Sequence, residues 1–422
     1  MLKKQKSLIQ NPYLFSLITK IFSVLVGFLF TVFQARFLGP EIKGQVVTVN
    51  SIVGVTSVVF DFGISYAYSY FKRHTETDVL PIFMKIALGM LAVSLSVVAA
   101  VVFIFEIPLK YIAVLIFTPL LVYDGIVSYI TLIEEPNKRN WTDMLVMMGE
   151  LVLVVVLWLL ARPSFLLGLL IISFKHLIKL IIFSFWWRKR IFVKTEPVWG
   201  WLVKLVRFGF FPMLSILMAT LNYRVGVIML DGKVSDAAIG IYSVGITLAE
   251  RVWMIPDAIQ GVMASRLAKG KDAREATFAI RLCNTGCAVL ILGIIALGKP
   301  FIDLVFGVEY SGSYEITVLL LLGVFSMIYY KVIASFNIVM GRQRDSFILL
   351  LVSVIVNFVM NLLLVPVMGI YGAGIAGVTS YSLCGILFVI YFCRVTKRSI
   401  GEMLFIKKAD FAIVKSFLRR AS

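Results

Sequence analysis

Long apolar runs recur along the whole chain and are separated by short polar stretches. Runs such as "VLWLLARPSFLLGLLIISF" and "FILLLVSVIVNFVMNLLLVPV" contain almost no charge. About 20 such residues in a helix cross the ~30 Å of hydrocarbon in a bilayer. The runs lack the apolar/polar alternation that is typical of a membrane β-barrel. The pattern therefore predicts an all-α polytopic membrane protein.

We predict twelve spans from this pattern, and they are spaced evenly along the chain. Their expected positions are about 13–35, 44–70, 81–105, 110–133, 143–161, 164–187, 206–230, 237–262, 278–298, 314–340, 346–366 and 370–393. A basic loop lies between spans six and seven and leaves six spans on either side. The expected organisation is a cytoplasmic N-terminus (1–12), an N-lobe (13–187), a basic connector (188–205), a C-lobe (206–393) and a basic amphipathic tail (394–422) on the inner leaflet.

The two halves carry a weak internal repeat. The stretch "ARFLGPEIKGQVVTVNSI" after span one resembles "IMLDGKVSDAAIGIYSVGI" after span seven, and the following helix is entered through Gly44 in one and Gly240 in the other. Six spans per half preserve orientation, so the two lobes would be pseudo-symmetric about an axis along the membrane normal.

Charge patterning sets the orientation. The chain has 422 residues, 60% of them hydrophobic, a mean hydropathy of +0.96 and a net charge of +18. A cytoplasmic N-terminus places 29 of the 41 Lys and Arg residues on the cytoplasmic side, six in outer loops and six inside spans. Cytoplasmic loops carry such an excess, which places both termini in the cytoplasm. Because topology accounts for the charge, nucleic acid is not an expected partner.

Motifs for catalysis or metal binding are not evident in the sequence. The four cysteines lie in or beside apolar runs and have no metal-ligand spacing with histidine. There is no GxxxxGK[ST] phosphate loop. We therefore expect no enzyme activity, no catalytic or metal-binding residues and no cofactor.

Ionisable residues inside spans are the candidate functional residues. Each costs about 2.5–3.5 kcal/mol at the centre of a span and therefore faces a partner or a wet cavity. Cations outnumber acids among them. The candidates for binding are Arg251, Arg224, Lys20 and Lys331 with the neutral Asn50, and those for charge balance or coupling are Asp61 and Glu250.

For two groups of charged residues in spans, a purely structural role is also considered. Glu250 and Arg251 are adjacent, so they differ by ~100° around a helix and need separate neighbours or one broad cavity; a buried pair that locks two helices is the alternative for Glu250. Lys175 and Lys179 share one helix face within reach of Glu150, and this trio is expected to be a structural clamp.

Four segments, taken in order along the chain, resemble the Wzx-type polysaccharide flippases, which export lipid-linked oligosaccharides. They are "ARFLGPEIKGQVV", "AERVWMIPDAIQGVMASRLAK", "LVFGVEYSGSYEI" and "VPVMGIYGAGIAGVTSY". The resemblance implies the fold of the multidrug/oligosaccharidyl-lipid/polysaccharide exporters. That fold has two six-helix lobes around a central cavity, which spans one, two, seven and eight line with cationic residues.

The resemblance also implies a function. The expected substrate is an undecaprenyl-pyrophosphate-linked glycan repeat unit, moved to the outer leaflet of the bacterial cytoplasmic membrane for O-antigen, capsule or exopolysaccharide synthesis. Arg224, Arg251, Lys20 and Asp61 fall on cavity-lining spans, and Lys331 falls on span ten. Proton or sodium coupling, a monomeric state, and contacts with membrane lipids and with glycan polymerases or glycosyltransferases are further expectations.

Two other functions remain open at this point. A multidrug or organic-cation antiporter of the same superfamily would need an acidic or aromatic site, whereas cations are in excess here. A membrane glycan polymerase would need catalytic groups in a sizeable loop, whereas the outer connectors are short.

Overall fold

The computed structural model describes residues 12–195, 197–259, 273–407 and 410, and the side chains from Thr19 onward except those of residues 20 and 21. The described residues form helices and connecting turns without strands. Numbered along the chain, the α-helices are α1 (Pro12–Asp61), α2 (Ile64–His74), α3 (Leu80–Ile104), α4 (Leu109–Glu134), α5 (Pro136–Leu160), α6 (Phe165–Ile191), α7 (Val198–Leu230), α8 (Asp236–Glu250), α9 (Ala273–Val305), α10 (Ser313–Val339) and α11 (Gln343–Thr396).

Ten helical segments are long and apolar enough to cross a membrane. Two of them are over 50 residues long, about 75 Å at 1.5 Å per residue, which is more than twice the hydrocarbon thickness. Gly39 breaks the first at φ 68°, and Gly369 breaks the second at φ 55°. Glycine adopts this left-handed conformation without a steric penalty. Each long segment therefore contains two spans, and the described chain has the twelve predicted ones.

The second predicted span, 44–70, is not one continuous helix. Helix α1 ends at Asp61, and α2 begins at Ile64 after Phe62 and Gly63, whose φ angles are 49° and 71°. A Cβ atom on Gly63 would overlap the backbone carbonyl of Gly209 in α7. The close approach of these two backbones explains the break, which the apolar pattern did not predict.

The chain divides into two compact units. The first contains residues 1–220 and 235–240, and the second contains residues 221–234 and 241–422. A large apolar cluster fills the first unit, with members from α2, α3, α4, α6 and the start of α7, among them Tyr68, Phe83, Ile126 and Phe183. Extensive packing of α10 against α11, with α9 against α10, organises the second. The lobe boundaries expected from the sequence stay a prediction.

The two glycines of the sequence repeat meet in the first unit. A Cβ atom on Gly44 would overlap the carbonyl oxygen of Asp236, and one on Gly240 would overlap that of Pro40. Asp236 precedes Gly240 by four residues, as Pro40 precedes Gly44, so the contact is reciprocal. Gln45 Nε2 also donates to Asp236 Oδ2 at 2.9 Å. Helix α1 and the first turn of α8 can approach this closely because neither glycine has a side chain.

The segment after α11 folds back onto α9. A 3₁₀ turn, Ile400–Glu402, is followed by Met403, whose side chain is fully buried. Asn284 of α9 donates to the carbonyls of Met403 and Leu404 at 3.0 Å. Arg281 donates to both carboxylate oxygens of Asp410, at 2.7 and 2.5 Å. The amphipathic helix was predicted within 394–422. Residues 397–407 instead form a 3₁₀ turn and a non-helical segment that docks on α9, and residues 408, 409 and 411–422 lie outside the described residues.

Candidate functional site

The middle of span eight contains a change of helix type at its charged pair. Helix α8 ends at Glu250, and a 3₁₀ turn follows at Arg251–Trp253 before the chain is helical again to Ile259. A 3₁₀ turn inside a helix often marks a hinge. The sequence predicted one continuous helix here. The break alters the ~100° offset between Glu250 and Arg251 that a regular helix would impose.

Pro256 accounts for the break. Proline has no N–H, so it cannot donate to the carbonyl of Val252 four residues earlier. The Cys287 thiol of α9 supplies the missing donor, with its Sγ 3.4 Å from the Val252 oxygen. Both Val252 and Cys287 are fully buried. The cysteine thus satisfies a backbone group that would otherwise be unpaired in the membrane interior.

A charged cluster surrounds the break. The carboxylate of Glu250 lies within electrostatic reach of Arg224 on α7, Arg251, Lys331 on α10 and Asp257. Lys331 Nζ donates to Asp257 Oδ1 at 2.7 Å. With every group ionised, the cluster has one more positive than negative charge. Three predicted binding residues and one predicted charge-balance residue are therefore brought together in the second unit.

Two members of this cluster have buried atoms that find no hydrogen-bond partner among the described residues. Glu250 Oε1 and Arg251 Nε make no hydrogen bond to any described residue. A carboxylate oxygen and a guanidinium N–H are among the most strongly hydrogen-bonding groups in proteins. The cluster can therefore accept an additional donor at Glu250 and donate to an acceptor from Arg251.

Aromatic rings pack beside the charges. Tyr223, Trp253 and Tyr381 form a triad with ring centroids 5.1–6.1 Å apart. The Lys331 ammonium lies 4.9 Å from the Trp253 ring centroid, a cation–π distance. Trp253 Nε1 donates to the Val324 carbonyl at 2.9 Å, which fixes the indole. These rings form an aromatic wall beside the charges.

A chain of hydrogen-bonded asparagine amides leads towards Glu250. Asn361 Nδ2 donates to Asn357 Oδ1 at 2.7 Å, and Asn357 Nδ2 donates to Asn222 Oδ1 at 2.9 Å. Ser380 Oγ also donates to Asn222 Oδ1, at 2.6 Å. All four side chains are buried. Asn222 Oδ1 accepts two hydrogen bonds, and this network assigns the orientation of its amide.

A cavity of about 10 Å³ lies beside the asparagine chain and Glu250. Asn222, Glu250, Tyr242 and Tyr381 line it together with apolar side chains. A single water molecule needs about this much space. A sugar or a drug-sized molecule does not fit in this cavity.

The first unit contains a separate buried charge network. His176 Nδ1 lies 2.7 Å from Asp124 Oδ2, and Lys179 lies 2.8 Å from Asp143 and 3.7 Å from Asp124. The clamp predicted for Lys175, Lys179 and Glu150 is thus built differently, because Asp143 and Asp124 are the ion-pair partners of Lys179. Glu150 is buried nearby, within electrostatic reach of both lysines.

The remaining predicted site residues lie in the first unit. Asp61 ends α1 and accepts a hydrogen bond from Ser65 Oγ at 2.8 Å, which ties it to the first turn of α2. Asn50 is an exposed side chain on α1. Lys20 also belongs to α1, but its side chain is outside those that the structure describes. Their roles in binding and charge balance stay predictions.

Sequence reasoning missed Asp257 and Trp253 as members of the cluster. Asp257 lies near the end of span eight, where acids are common. Its position one turn after Trp253 and two turns after Glu250 was the available signal. Among the described residues, no group of three or more His, Cys, Asp or Glu side chains is arranged to hold a metal ion.

Solved structures share this fold. The lipid II flippase MurJ in its inward closed conformation matches with a TM-score of 0.70 at 17% identity, over 93% of this chain and 89% of that one. An inward-facing multidrug resistance MATE family transporter of the MOP superfamily matches with a TM-score of 0.61 at 11% identity, over 87% of this chain and 94% of that one. At these identities the likeness concerns the fold.

Two sequence comparisons complement the structural ones. The probable multidrug resistance protein NorM of Bacillus subtilis (strain 168) is 25% identical over 209 residues, which is 45% of this chain and 46% of that protein. The match thus spans about half the length of this relative. A family model described as polysaccharide biosynthesis protein matches residues 12–266, more than half of the chain. This match confirms the family expected from the four segments quoted above, and the chain belongs to the polysaccharide biosynthesis protein family.

Proposed function

We propose that the protein is a flippase. It moves an undecaprenyl-pyrophosphate-linked oligosaccharide repeat unit from the cytoplasmic to the outer leaflet of the bacterial cytoplasmic membrane, for the synthesis of a surface polysaccharide such as O-antigen, capsule or exopolysaccharide. The family match and the fold shared with a lipid II flippase support this class of substrate. Transport proceeds by alternating access, without chemistry on the substrate.

The excess of positive charge around the break in span eight is the observation that carries the proposal. Arg224, Arg251 and Lys331 converge there against Glu250 and Asp257. A pyrophosphate head group cannot enter hydrocarbon unaided, because its desolvation is very unfavourable. Arginine offers a planar set of donors that matches phosphate oxygens. The unpartnered Nε of Arg251 is available for such a contact.

The other predicted site residues have supporting roles in this proposal. Lys20 and Asn50 contribute contacts to the head group from the first unit. Glu250 and Asp61 balance the charge, and protonation of either acid, or a sodium ion at Asp61, couples transport to an ion gradient. Lys331 already pairs with Asp257. It therefore stabilises the head group by electrostatic attraction and by exchanging Asp257 for a phosphate oxygen. The polyprenyl chain remains in the lipid, and the protein acts as a monomer with both termini in the cytoplasm.

Complementation of a bacterial host that lacks its own glycan flippase tests the proposal. We expect the parent chain to restore surface polysaccharide and to clear lipid-linked repeat units from the inner leaflet. Arg251→Ala and Arg224→Ala, at matched membrane levels, lose about tenfold or more of this transport, as expected for loss of a charge-assisted hydrogen bond. Lys189→Ala is the matched control, since Lys189 is an exposed cation in the last turn of α6. Equal transport by all variants contradicts the assigned roles.

A multidrug or organic-cation antiporter is the second candidate function. The acid Glu250 beside the triad of Tyr223, Trp253 and Tyr381 is the observation that favours it, because aromatic rings with an acid attract organic cations. The similarity to NorM agrees with this alternative. Efflux of a cationic dye from cells that contain the chain, combined with failure of glycan complementation, establishes the antiporter instead.

A further inference from the structure

The asparagine chain in the second unit has a direction. Each amide donates its Nδ2–H to the carbonyl of the next, from Asn361 to Asn357 to Asn222. Hydrogen bonds that run in one direction polarise each other. The chain of hydrogen bonds therefore ends at the Nδ2 atom of Asn222, a residue that is only 2% exposed.

Among the described residues, no acceptor follows Asn222 Nδ2 in this direction. Asn222 Nδ2 makes no hydrogen bond to any residue that the structure describes, and neither does Glu250 Oε1. Both residues line the same cavity of about 10 Å³. A buried donor or acceptor without a partner costs roughly 1–3 kcal/mol. One group that accepts from Asn222 and donates to Glu250 would satisfy both atoms.

The chemistry of the two atoms excludes a metal ion. A cation would need oxygen ligands, whereas Asn222 presents N–H donors to the cavity because its Oδ1 already accepts from Asn357 and Ser380. The electrostatic potential is also unfavourable for a cation, since the three basic residues of the cluster outnumber its two acids, Glu250 and Asp257. A substrate hydroxyl is excluded by size, because the sugar attached to it does not fit.

We propose that this cavity is a binding site for one water molecule, which accepts from Asn222 Nδ2 and donates to Glu250 Oε1. The water completes a hydrogen-bonded connection from span eleven through span seven to the carboxylate at the break in span eight. The site is independent of which molecule the protein transports.

A cryo-EM structure of the full chain in lipid nanodiscs, at a resolution that shows ordered water, tests the site. The sample is prepared once in potassium buffer without sodium and once in sodium buffer. We expect one density within hydrogen-bond distance, about 2.7–3.2 Å, of both Asn222 Nδ2 and Glu250 Oε1 in both buffers. Absence of the density contradicts the proposal. A density that appears only with sodium and has carbonyl or carboxylate oxygens around it also contradicts it.

Two variants of one residue provide a matched control. Glu250→Gln retains a carbonyl oxygen as acceptor, so the density persists. Glu250→Leu removes the acceptor at similar volume, so the density is lost. A density that survives in Glu250→Leu would show that the carboxylate does not hold the molecule. The measurement on the parent chain decides the question if either variant does not fold.

Discussion

The thiol of Cys287 shows how one side chain makes a break in a span tolerable. Backbone groups in a bilayer must be satisfied within the protein, because hydrocarbon offers no alternative partner. Pro256 leaves the Val252 carbonyl without its helical donor, and the thiol on α9 occupies that place at 3.4 Å. A weak donor is sufficient here, since the alternative is an unpaired buried carbonyl.

This contact predicts the stability of variants at position 287. We expect Cys287→Ser to retain the donor, and Cys287→Ala to lower the free energy of unfolding by about 1–3 kcal/mol through the unpaired carbonyl, beyond the loss of packing. Cys283→Ala is the control, because Cys283 is equally buried one turn earlier on the same helix. Thermal unfolding in detergent measures the difference. Equal losses for both alanine variants would assign the effect to packing alone.

At the scale of elements, the contact between α1 and the start of α8 depends on two backbones without side chains between them. A methyl group on Gly44 would overlap the Asp236 carbonyl, which is backbone and cannot rotate away. We expect Gly44→Ala to separate the two elements, at a cost of at least the 1–3 kcal/mol that is usual for overpacking.

Gly54 is a matched control for this prediction. It lies in the same helix, and a Cβ atom there would have no neighbour within 4 Å. Since alanine has the higher helix propensity, Gly54→Ala is neutral or stabilising by up to about 1 kcal/mol. The melting temperatures of the two variants in nanodiscs provide the comparison. Similar values for Gly44→Ala and the parent would show that the elements are free to move apart.

The docking of the segment after α11 predicts a dependence on pH. Arg281 holds the pKa of Asp410 below its usual value through two hydrogen bonds. A carboxylate with a lowered pKa stabilises the docked state above its pKa in the undocked segment, about 3.9, and this contribution is lost as the pH falls through the lowered value. The segment therefore stays docked at neutral pH.

Hydrogen exchange of residues 400–407 measures this docking. We expect protection in the parent to be constant from pH 8 to about pH 5 and to decrease only in stronger acid. Asp410→Asn removes both the ion pair and its pH dependence, so protection is lower than in the parent from pH 8 to about pH 5 and the two converge in stronger acid. Protection that is unchanged in Asp410→Asn would assign the docking to Met403 and Asn284 alone.

The elements also show which features a sequence can predict. The twelve spans were predictable because a bilayer imposes one length on all of them. The break at Phe62–Gly63 was not, since a left-handed phenylalanine has no local signal and results from the approach of Gly209. Likewise, the cost of a buried charge identified Glu250 and Arg251, but the pairing of Lys331 with Asp257 depends on how two distant helices pack.

At the scale of the whole molecule, the bias of basic residues predicts the orientation of every loop. A cysteine that replaces Arg162, between α5 and α6, should react with a membrane-impermeant thiol reagent in intact cells. One that replaces Lys189, at the end of α6, should react only after the membrane is opened, because cytoplasmic loops carry the positive excess. The natural cysteines at 283, 287 and 384 are buried. The reverse labelling pattern would invert the proposed topology.

The reciprocal contact of Gly44 with Asp236 and of Gly240 with Pro40 has a consequence for the origin of the chain. Each half of the sequence repeat supplies one glycine and one carbonyl, and each glycine meets the carbonyl of the other half. This is the self-complementary pattern of an interface between two identical subunits related by a two-fold axis. This reciprocity is the pattern that duplication of a six-span half leaves in a chain.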